Sequence, residues 1–429
     1  MKIHHLLFLF LPFLCCEKEG EPNGDTNVNT NPPNILLIIA DDMGKDATPG
    51  FSEGSIKPNT PNIDALRQDG LVFQNFWSYP TCSPTRSAII TGKYGYRTGV
   101  KQAGDVLSIS ERTLQRHITE EAEADYTTAI VGKWHLSGEE IGATPEAFGI
   151  DHYVGIIRGA VVDYYNWRLA EDGTSQLQTD YTSKVFTDHA IDWVGDQSEP
   201  WFLWLAYNAP HTPYHVPPAE MHSQGTLEAY VDGTDPTRHY MAAIEAVDYQ
   251  IGRLLEAIPA EERDNTIIIF IGDNGTPILA AQSPYTGATA KGTLYQGGVN
   301  VPMIISGAGV DRSGTDDNLV SCADLYSTIA ELAGLSVSEI HDSKSFKSLL
   351  TSAGSHRDFQ YAESATDTEE RWAISDGRFK LHVNSNGEEE LYDLDADPYE
   401  GDNLLTGSLS AEAESAKADL EAELLEIRN

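Results

Sequence analysis

A chain of 429 residues can bury at least one large core, and 40% hydrophobic content with scattered Trp and Tyr fits a folded globular protein. The formal net charge of −38 argues against nucleic acid as a partner, because phosphate binding needs a basic surface that displaces counterions. The same charge repels anionic ligands at long range, so any chemistry on an anionic group must rest on a few cations gathered locally.

The chain opens on Met1-Lys2-Ile3-His4-His5 and an apolar run over residues 6–14, the charged start and short hydrophobic stretch of a secretory signal. The run is too short to span a membrane. Residues 1–16 are therefore read as a signal peptide, and Cys15-Cys16 leaves open a lipid anchor at Cys15 or Cys16, although Pro12, Phe13 and Leu14 are bulky for such a site. Residues 17–33, rich in Glu, Asn, Gly and Pro, read as a flexible linker. Only Cys82 and Cys322 remain beyond the leader, too few for a disulfide framework, and Cys322 reads as a small buried hydrophobe.

Short apolar runs recur at residues 34–40, 127–131, 201–206, 266–271 and 301–305, with helical patterns between them. They predict strands buried on both faces of a mostly parallel sheet flanked by helices, an α/β architecture. Thr60-Pro61, with Ile63 and Leu66 following and Gly70 closing, predicts a helix capped by Thr60. From about Ser352 the texture changes to short strands broken at Asp376-Gly377 and Asn386-Gly387, then a charged helix from about Ser410. The reading is a main domain over residues 34–351 and a smaller antiparallel-sheet subdomain over residues 352–429.

The runs end in Asp41-Asp42, Gly132-Lys133-Trp134-His135, Asn208-Ala209-Pro210-His211 and Asp273-Asn274-Gly275. Open parallel sheets bind ligands beyond the carboxyl ends of their strands, so four strands are expected to deliver polar groups to one edge. Asp41, Asp42, Asp273 and Asn274 are hard oxygen donors, which select Ca²⁺ or Mg²⁺ over zinc. Thr81-Cys82-Ser83-Pro84-Thr85-Arg86 opens a helix with Ser83 as the expected N-cap, Pro84 at its first position and Gly92 at its end. Cys82 would precede a helix N-terminus that favours anions, with Arg86 aimed at the same place, and on physics alone it is a reactive thiol.

Cys82-Ser83-Pro84-Thr85-Arg86, followed by Ser-Ala-Ile-Ile-Thr-Gly-Lys, resembles the type I sulfatase signature, in which the cysteine is oxidised to formylglycine. The resemblance runs from Asn34 to about Leu404. It includes the four strand ends, Pro210-His211-Thr212-Pro213, Lys291-Gly292 with Gly297-Gly298, and Leu391-Tyr392-Asp393-Leu394-Asp395 before Asp397-Pro398. It implies the alkaline-phosphatase-like α/β fold and hydrolysis of sulfate esters by a formylglycine gem-diol. Asp41, Asp42, Asp273, Asn274 and modified Cys82 would coordinate Ca²⁺, or Mg²⁺ in its place. Lys133 and Arg86 would hold the nucleophile and the developing charge, His135 would act as base, and His211 with Lys291 would protonate the leaving group. The implied partners are a sulfated substrate and a formylglycine-generating or sulfatase-maturing enzyme. The sequence departs from many relatives at Gln296 and Asn300, where they carry Glu and Arg.

The loop over residues 155–173 carries Arg158, Tyr164, Tyr165, Trp167 and Arg168, aromatic and guanidinium groups suited to anionic sugar rings. Together with His215 these are candidate substrate contacts, set against a plain surface insertion. Export and acidity point to a bacterial carbohydrate sulfatase that is periplasmic, secreted or an outer-membrane lipoprotein, acting on oligosaccharides from sulfated polysaccharide. The rivals are a formylglycine-dependent phosphonate or phosphate monoester hydrolase and a catalytically silent binder of sulfated glycans. Asn274, where two-zinc phosphatases need His, disfavours a two-zinc phosphatase and leaves the formylglycine-dependent rival open. The intact set of Cys82, Lys133, His135, His211 and Lys291 disfavours the binder.

Overall fold

Alternate residues of the first apolar run enter two different cores, as the period of two in a strand requires. In the computed structural model, which describes residues 32–137 and 144–429, β1 (Asn34–Ala40) sends Ile35, Leu37 and Ile39 to one face and Leu36, Ile38 and Ala40 to the other. The expected leader and its two cysteines lie outside the described residues, as does nearly all of the linker.

Nine further strands complete the sheet: β2 (Leu71–Trp77), β3 (Thr127–Lys133), β4 (His152–Ile156), β5 (Trp167–Glu171), β6 (Thr174–Gln178), β7 (Trp201–Tyr207), β8 (Thr266–Gly272), β9 (Met303–Gly307) and β10 (Gly314–Ser321). Their order is β10-β2-β9-β8-β1-β7-β3-β4-β5-β6. The central block β8-β1-β7-β3-β4 is parallel throughout, with Ile35 opposite both Phe202 and Ile267 and Ala129 opposite Leu203. Every residue of β1, β7 and β8 is buried, which is why these strands read as unbroken apolar runs.

Two expectations need correction. The run at 301–305 begins as a strand only at Met303, because Pro302 has no N–H for the ladder, and β9 runs antiparallel to both β8 and β2. The segment 155–173 is not a plain loop, since Trp167 and Arg168 open a hairpin, β5–β6, that extends the sheet.

Helix α1 (Pro61–Asp69) forms where Thr60-Pro61 predicts it, but Thr60 makes no capping bond. Asp248, from the helix Thr237–Ala257, takes that role and accepts from the N–H groups of Asn62 and Ile63 at 3.1 and 2.7 Å. Helix α2 (Cys82–Thr91) is capped by Thr81, not Ser83, so Cys82 is its first residue, and Gly92 closes it in the left-handed region at φ 68°.

After a short hairpin, β11 (Glu339–Ile340) with β12 (Ser343–Lys344), the chain builds an antiparallel sheet in the order β13 (Gln360–Ala365), β14 (Glu370–Ser375), β15 (Phe379–Asn384) and β16 (Glu389–Asp393). The terminal helix Ala411–Arg428 starts at Ser410, whose side chain accepts from the N–H of Ala413. Tyr361, Ile374, Leu381, Leu391 and Leu420 share one continuous core with Phe73, Ile89 and Val320, so this sheet is packed onto the main one.

Candidate active site

The carboxyl ends of β8, β1, β7 and β3 are adjacent, and their next residues meet at one edge. The ladder continues past the strands: the N–H of Asp41 donates to Ala209 O at 3.2 Å and that of Asp273 to Ala40 O at 3.3 Å. Close approach at this edge fixes a glycine. Gly132 has φ 111°, and a Cβ there would collide with the Ala206 carbonyl of β7, so only glycine lets β3 deliver Lys133 at this register.

Lys133 and Asp41 form a fully buried ion pair, Nζ to Oδ2 at 2.5 Å. Lys291 pairs with Asp42, its Nζ lying 2.5 Å from Oδ1 and 2.6 Å from Oδ2. Arg86 commits its guanidinium to the scaffold: Nε and Nη2 donate to Asp273 Oδ2 at 3.2 and 2.8 Å, and Nη1 to Lys133 O at 2.8 Å. Burial works against ionising Asp41, but Lys133 and then His211, Arg86 and Lys291 outweigh it and hold that carboxyl well below its usual range. Burial, then the Asp41 charge, pushes Asp273 the other way.

Cys82 Sγ donates to Asp41 Oδ1 at 3.3 Å. Burial first, and then the Asp41 carboxylate, push its thiol far up, so the side chain is a protonated thiol. Desolvation and a neighbouring anion here act against the helix dipole.

Donor atoms of Asp41, Asp42, Cys82 and His211 all lie within 4.8 Å of one another. Asn274 donates from Nδ2 to Asp42 Oδ1 at 2.7 Å, leaving its buried Oδ1 without a partner beside the same carboxylates. An oxygen-rich cluster with an orphaned buried amide oxygen fits a hard divalent cation. The charges agree: Asp41, Asp42 and Asp273 are balanced by Arg86, Lys133 and Lys291, so a divalent ion would leave the cluster positive and able to draw an anion into an acidic protein. Asp273 stands slightly apart from the other donors, its Oδ1 accepting the N–H of Asp42 at 3.0 Å and its Oδ2 engaged by Arg86.

The two histidines differ. His211 is part-exposed, with Nδ1 placed to donate to Thr212 O at 2.7 Å and Nε2 facing the cluster 3.7 Å from Asp42 Oδ2. His135 sits at φ 58° with its ring packed against Gly159, where any Cβ would overlap it, and its buried Nδ1 has no hydrogen-bond partner. Burial, then Lys133 and Arg86, lower its pKa to about 2, so the ring is neutral.

The candidate substrate contacts are more dispersed. His215 is held on both nitrogens, by Tyr181 OH and by Pro213 O at 3.0 Å each, and stacks on Tyr164 at 3.5 Å between centroids. Trp167 is buried, with Nε1 donating to Asp180 O, while its strand neighbour Arg168 points outward. Arg158, Trp167 and Arg168 line one cavity of about 570 Å³ together with Ile157, Val161, Val162 and Leu177. Sequence reasoning missed Tyr240, whose hydroxyl donates to Asp42 O at 2.6 Å, and Ser83, which donates to His135 O at 2.9 Å. Tyr240 carries no local signal, since it sits on a helix whose pattern marks it only as core.

Family models describe the same chain. One described as Sulfatase matches residues 33–335, and one described as N-sulphoglucosamine sulphohydrolase, C-terminal, matches residues 286–429. N-acetylgalactosamine-6-sulfatase of Homo sapiens is 30% identical over 345 residues, covering 71% of this chain and 62% of its own. Uncharacterized sulfatase YdeN of Escherichia coli (strain K12) is 28% identical over 362 residues, covering 71% and 63%. The chain thus spans a little under two thirds of the length of these two curated relatives. Among solved structures, Ps i-CgsB in complex with k-i-k-neocarrahexaose matches with TM-score 0.76 at 26% identity, covering 92% of each chain. The phosphonate monoester hydrolase of Agrobacterium radiobacter matches with TM-score 0.69 at 20% identity over 92% of this chain and 95% of that one, a likeness of fold.

Proposed function

Because the chain belongs to the sulfatase family, we propose that it hydrolyses sulfate esters of carbohydrates at the edge where β8, β1, β7 and β3 end. The observation that carries this reading is the gathering of Asp41, Asp42, Cys82 and His211 donors within 4.8 Å, ringed by Lys133, Lys291 and Arg86. A divalent cation, Ca²⁺ by the donor chemistry, would polarise a sulfate oxygen, and Cys82 oxidised to formylglycine would supply the paired hydroxyls that a thiol lacks.

The side chains divide the remaining work. Lys133 and Lys291 bring positive charge to the point where negative charge develops on sulfate oxygens. Arg86 holds Asp273 and the end of β3 in register. His135, whose buried Nδ1 has no hydrogen-bond partner, is the base assigned to the second hydroxyl, the one that expels sulfate. His211 has Nδ1 tied to Thr212 O, which leaves Nε2 and the neighbouring Lys291 to hand a proton to the departing sugar oxygen.

The carbohydrate substrate is supported by the neocarrahexaose complex and the galactosamine sulfatase among the similar proteins, and by Arg158 and Arg168 on one cavity. The charged start and apolar run at residues 1–16, read as a leader, support a reaction outside the cytoplasm. Peptide mass spectrometry across residues 81–86 tests the maturation of Cys82, and initial rates on sulfated oligosaccharides against phosphonate esters test the reaction. An unmodified thiol in active enzyme, or faster turnover of phosphonates, overturns the reading.

A further inference from the structure

Lys291 reaches Asp42 from a segment that the main domain holds at both ends, at residues 291–292 and again at 298–301. At the second end, Val299 O accepts from the N–H of Ser78 at 2.8 Å and the N–H of Val301 donates to Phe76 O at 3.1 Å. The N–H of Lys291 donates to Thr276 O at 3.2 Å and that of Gly292 to Pro80 O at 2.9 Å. Three residues on, the chain is held from elsewhere: Leu294 O accepts from Lys380 Nζ at 2.6 Å, and the N–H of Gln296 donates to Glu400 Oε2 at 2.5 Å. Between them, Tyr295 donates its hydroxyl to Glu390 Oε2 at 2.9 Å and sets its ring edge-on to His382 at 4.9 Å.

The holders form a unit of their own. Lys380 Nζ lies 2.7 Å from Glu400 Oε1 with both side chains wholly buried, His382 Nε2 lies 3.2 Å from the same oxygen, and Lys380 Nζ sits 4.6 Å over the Trp77 ring. Glu400 Oε1 receives no aligned hydrogen bond, so that contact is one of charge. Glu400 also keeps φ at 61°, a region a non-glycine residue occupies only when its surroundings demand it. A buried ion pair is a poor source of stability compared with apolar packing. What this one does is satisfy a C=O and an N–H on either side of Tyr295.

We infer that Lys380 and Glu400 are positioning residues for Lys291: the C-terminal sheet clamps residues 294–296 and thereby fixes where the Lys291 ammonium stands against Asp42. The inference rests on Lys291 acting in the sulfate ester hydrolysis proposed above. Gln296 fits the clamp, because a neutral amide there adds no second anion beside Glu400.

The full matured chain and its variants Lys380→Met, Glu400→Gln, Lys291→Ala and Lys291→Ala/Lys380→Met test it in two ways. Hydrogen exchange should speed up by about tenfold in peptides over residues 291–299 of Lys380→Met and Glu400→Gln, with peptides of β1 and β8 unchanged. On a sulfated oligosaccharide, Lys380→Met should lower kcat/KM by about tenfold to a hundredfold, the range of a misplacement of up to ~1 Å, and lower it no further once Lys291 is alanine. Exchange unchanged over 291–299, exchange faster throughout the protein, or an equal loss with and without Lys291 would each overturn the clamp. If Lys380→Met does not fold, the isosteric Glu400→Gln carries both measurements in its place. A wild-type protein inactive on every sulfate ester would sink the functional reading, and the exchange pattern would still decide the clamp.

Discussion

Replacing Lys133 by Met removes an ammonium 2.5 Å from Asp41 Oδ2, where neither side chain has contact with solvent. Stranding one member of a buried pair costs roughly 3–5 kcal/mol, and because His211, Arg86 and Lys291 still face Asp41, the lower end of about 3 kcal/mol is expected. A divalent ion changes that result in a direction the charges dictate. Lys133 repels a cation in the cluster, so its loss tightens calcium binding, and calcium restores more stability to the variant than it adds to the wild type. An ion present at a hundred times its Kd stabilises a protein by about 2.7 kcal/mol, and each further tenfold in affinity adds ~1.4 kcal/mol. The assay is urea unfolding of both proteins in EDTA and in excess calcium, with turnover measured on the same samples. Stability should recover in calcium while turnover does not, because the proposed mechanism also uses this lysine against the sulfate. A variant that loses less than about 1 kcal/mol in EDTA, or gains no more from calcium than the wild type, would refute the placement of the ion beside Asp41.

Other expectations follow from single features. Cys82→Ala should fold with an unchanged circular dichroism spectrum and lose turnover entirely; residual cleavage of sulfate esters would show that the nucleophile lies elsewhere. Asp324 is held down to about 2 from 3.8, because Arg357 and His356 outweigh the burial that opposes its ionisation. Its stabilisation is therefore complete above the unfolded value and lost as pH falls from 3.8 towards 2, about 2 kcal/mol in all. Unfolding of wild type and Asp324→Asn should accordingly converge by that amount between about pH 5 and about pH 2, and a gap independent of pH would contradict it. Gly132→Ala should destabilise by more than about 2 kcal/mol, since the methyl meets the Ala206 carbonyl at a φ no alanine favours; an unchanged denaturant midpoint would disprove the close approach of β3 to β7.

The strands that carry the site were legible because burial on both faces leaves no polar alternation, and each run ends abruptly in Asp, Asn, Lys or His. Direction was not legible: β9 has the same apolar texture as its parallel neighbours, and only pairing reveals that it runs the other way. Caps failed for a related reason. Thr60 and Ser83 fit local preferences, but Asp248, remote in sequence, satisfies the first helix, and α2 begins one residue before Ser83. Trp167 and Arg168 read as one patch along the chain, and they stay on one cavity, although on β5 the first is buried and the second exposed. The part played by Lys380 and Glu400 was invisible in the sequence, because a lysine inside a short polar strand reads as exposed until the segment it serves is packed against it.

Cys82 stands in the third of the described chain made first, yet in the finished fold it is only 2% accessible, covered by residues made much later. The strand β8, whose end lines that cover, is completed about 190 residues after it, a delay of ~10–40 s at ordinary rates of synthesis. Any catalyst that must touch the sulfur therefore has a temporal window that closes when β8 inserts beside β1, the first strand made. Conditions that hasten collapse should raise the fraction of molecules left as plain thiol, and a slower ribosome or a delayed passage across a membrane should lower it.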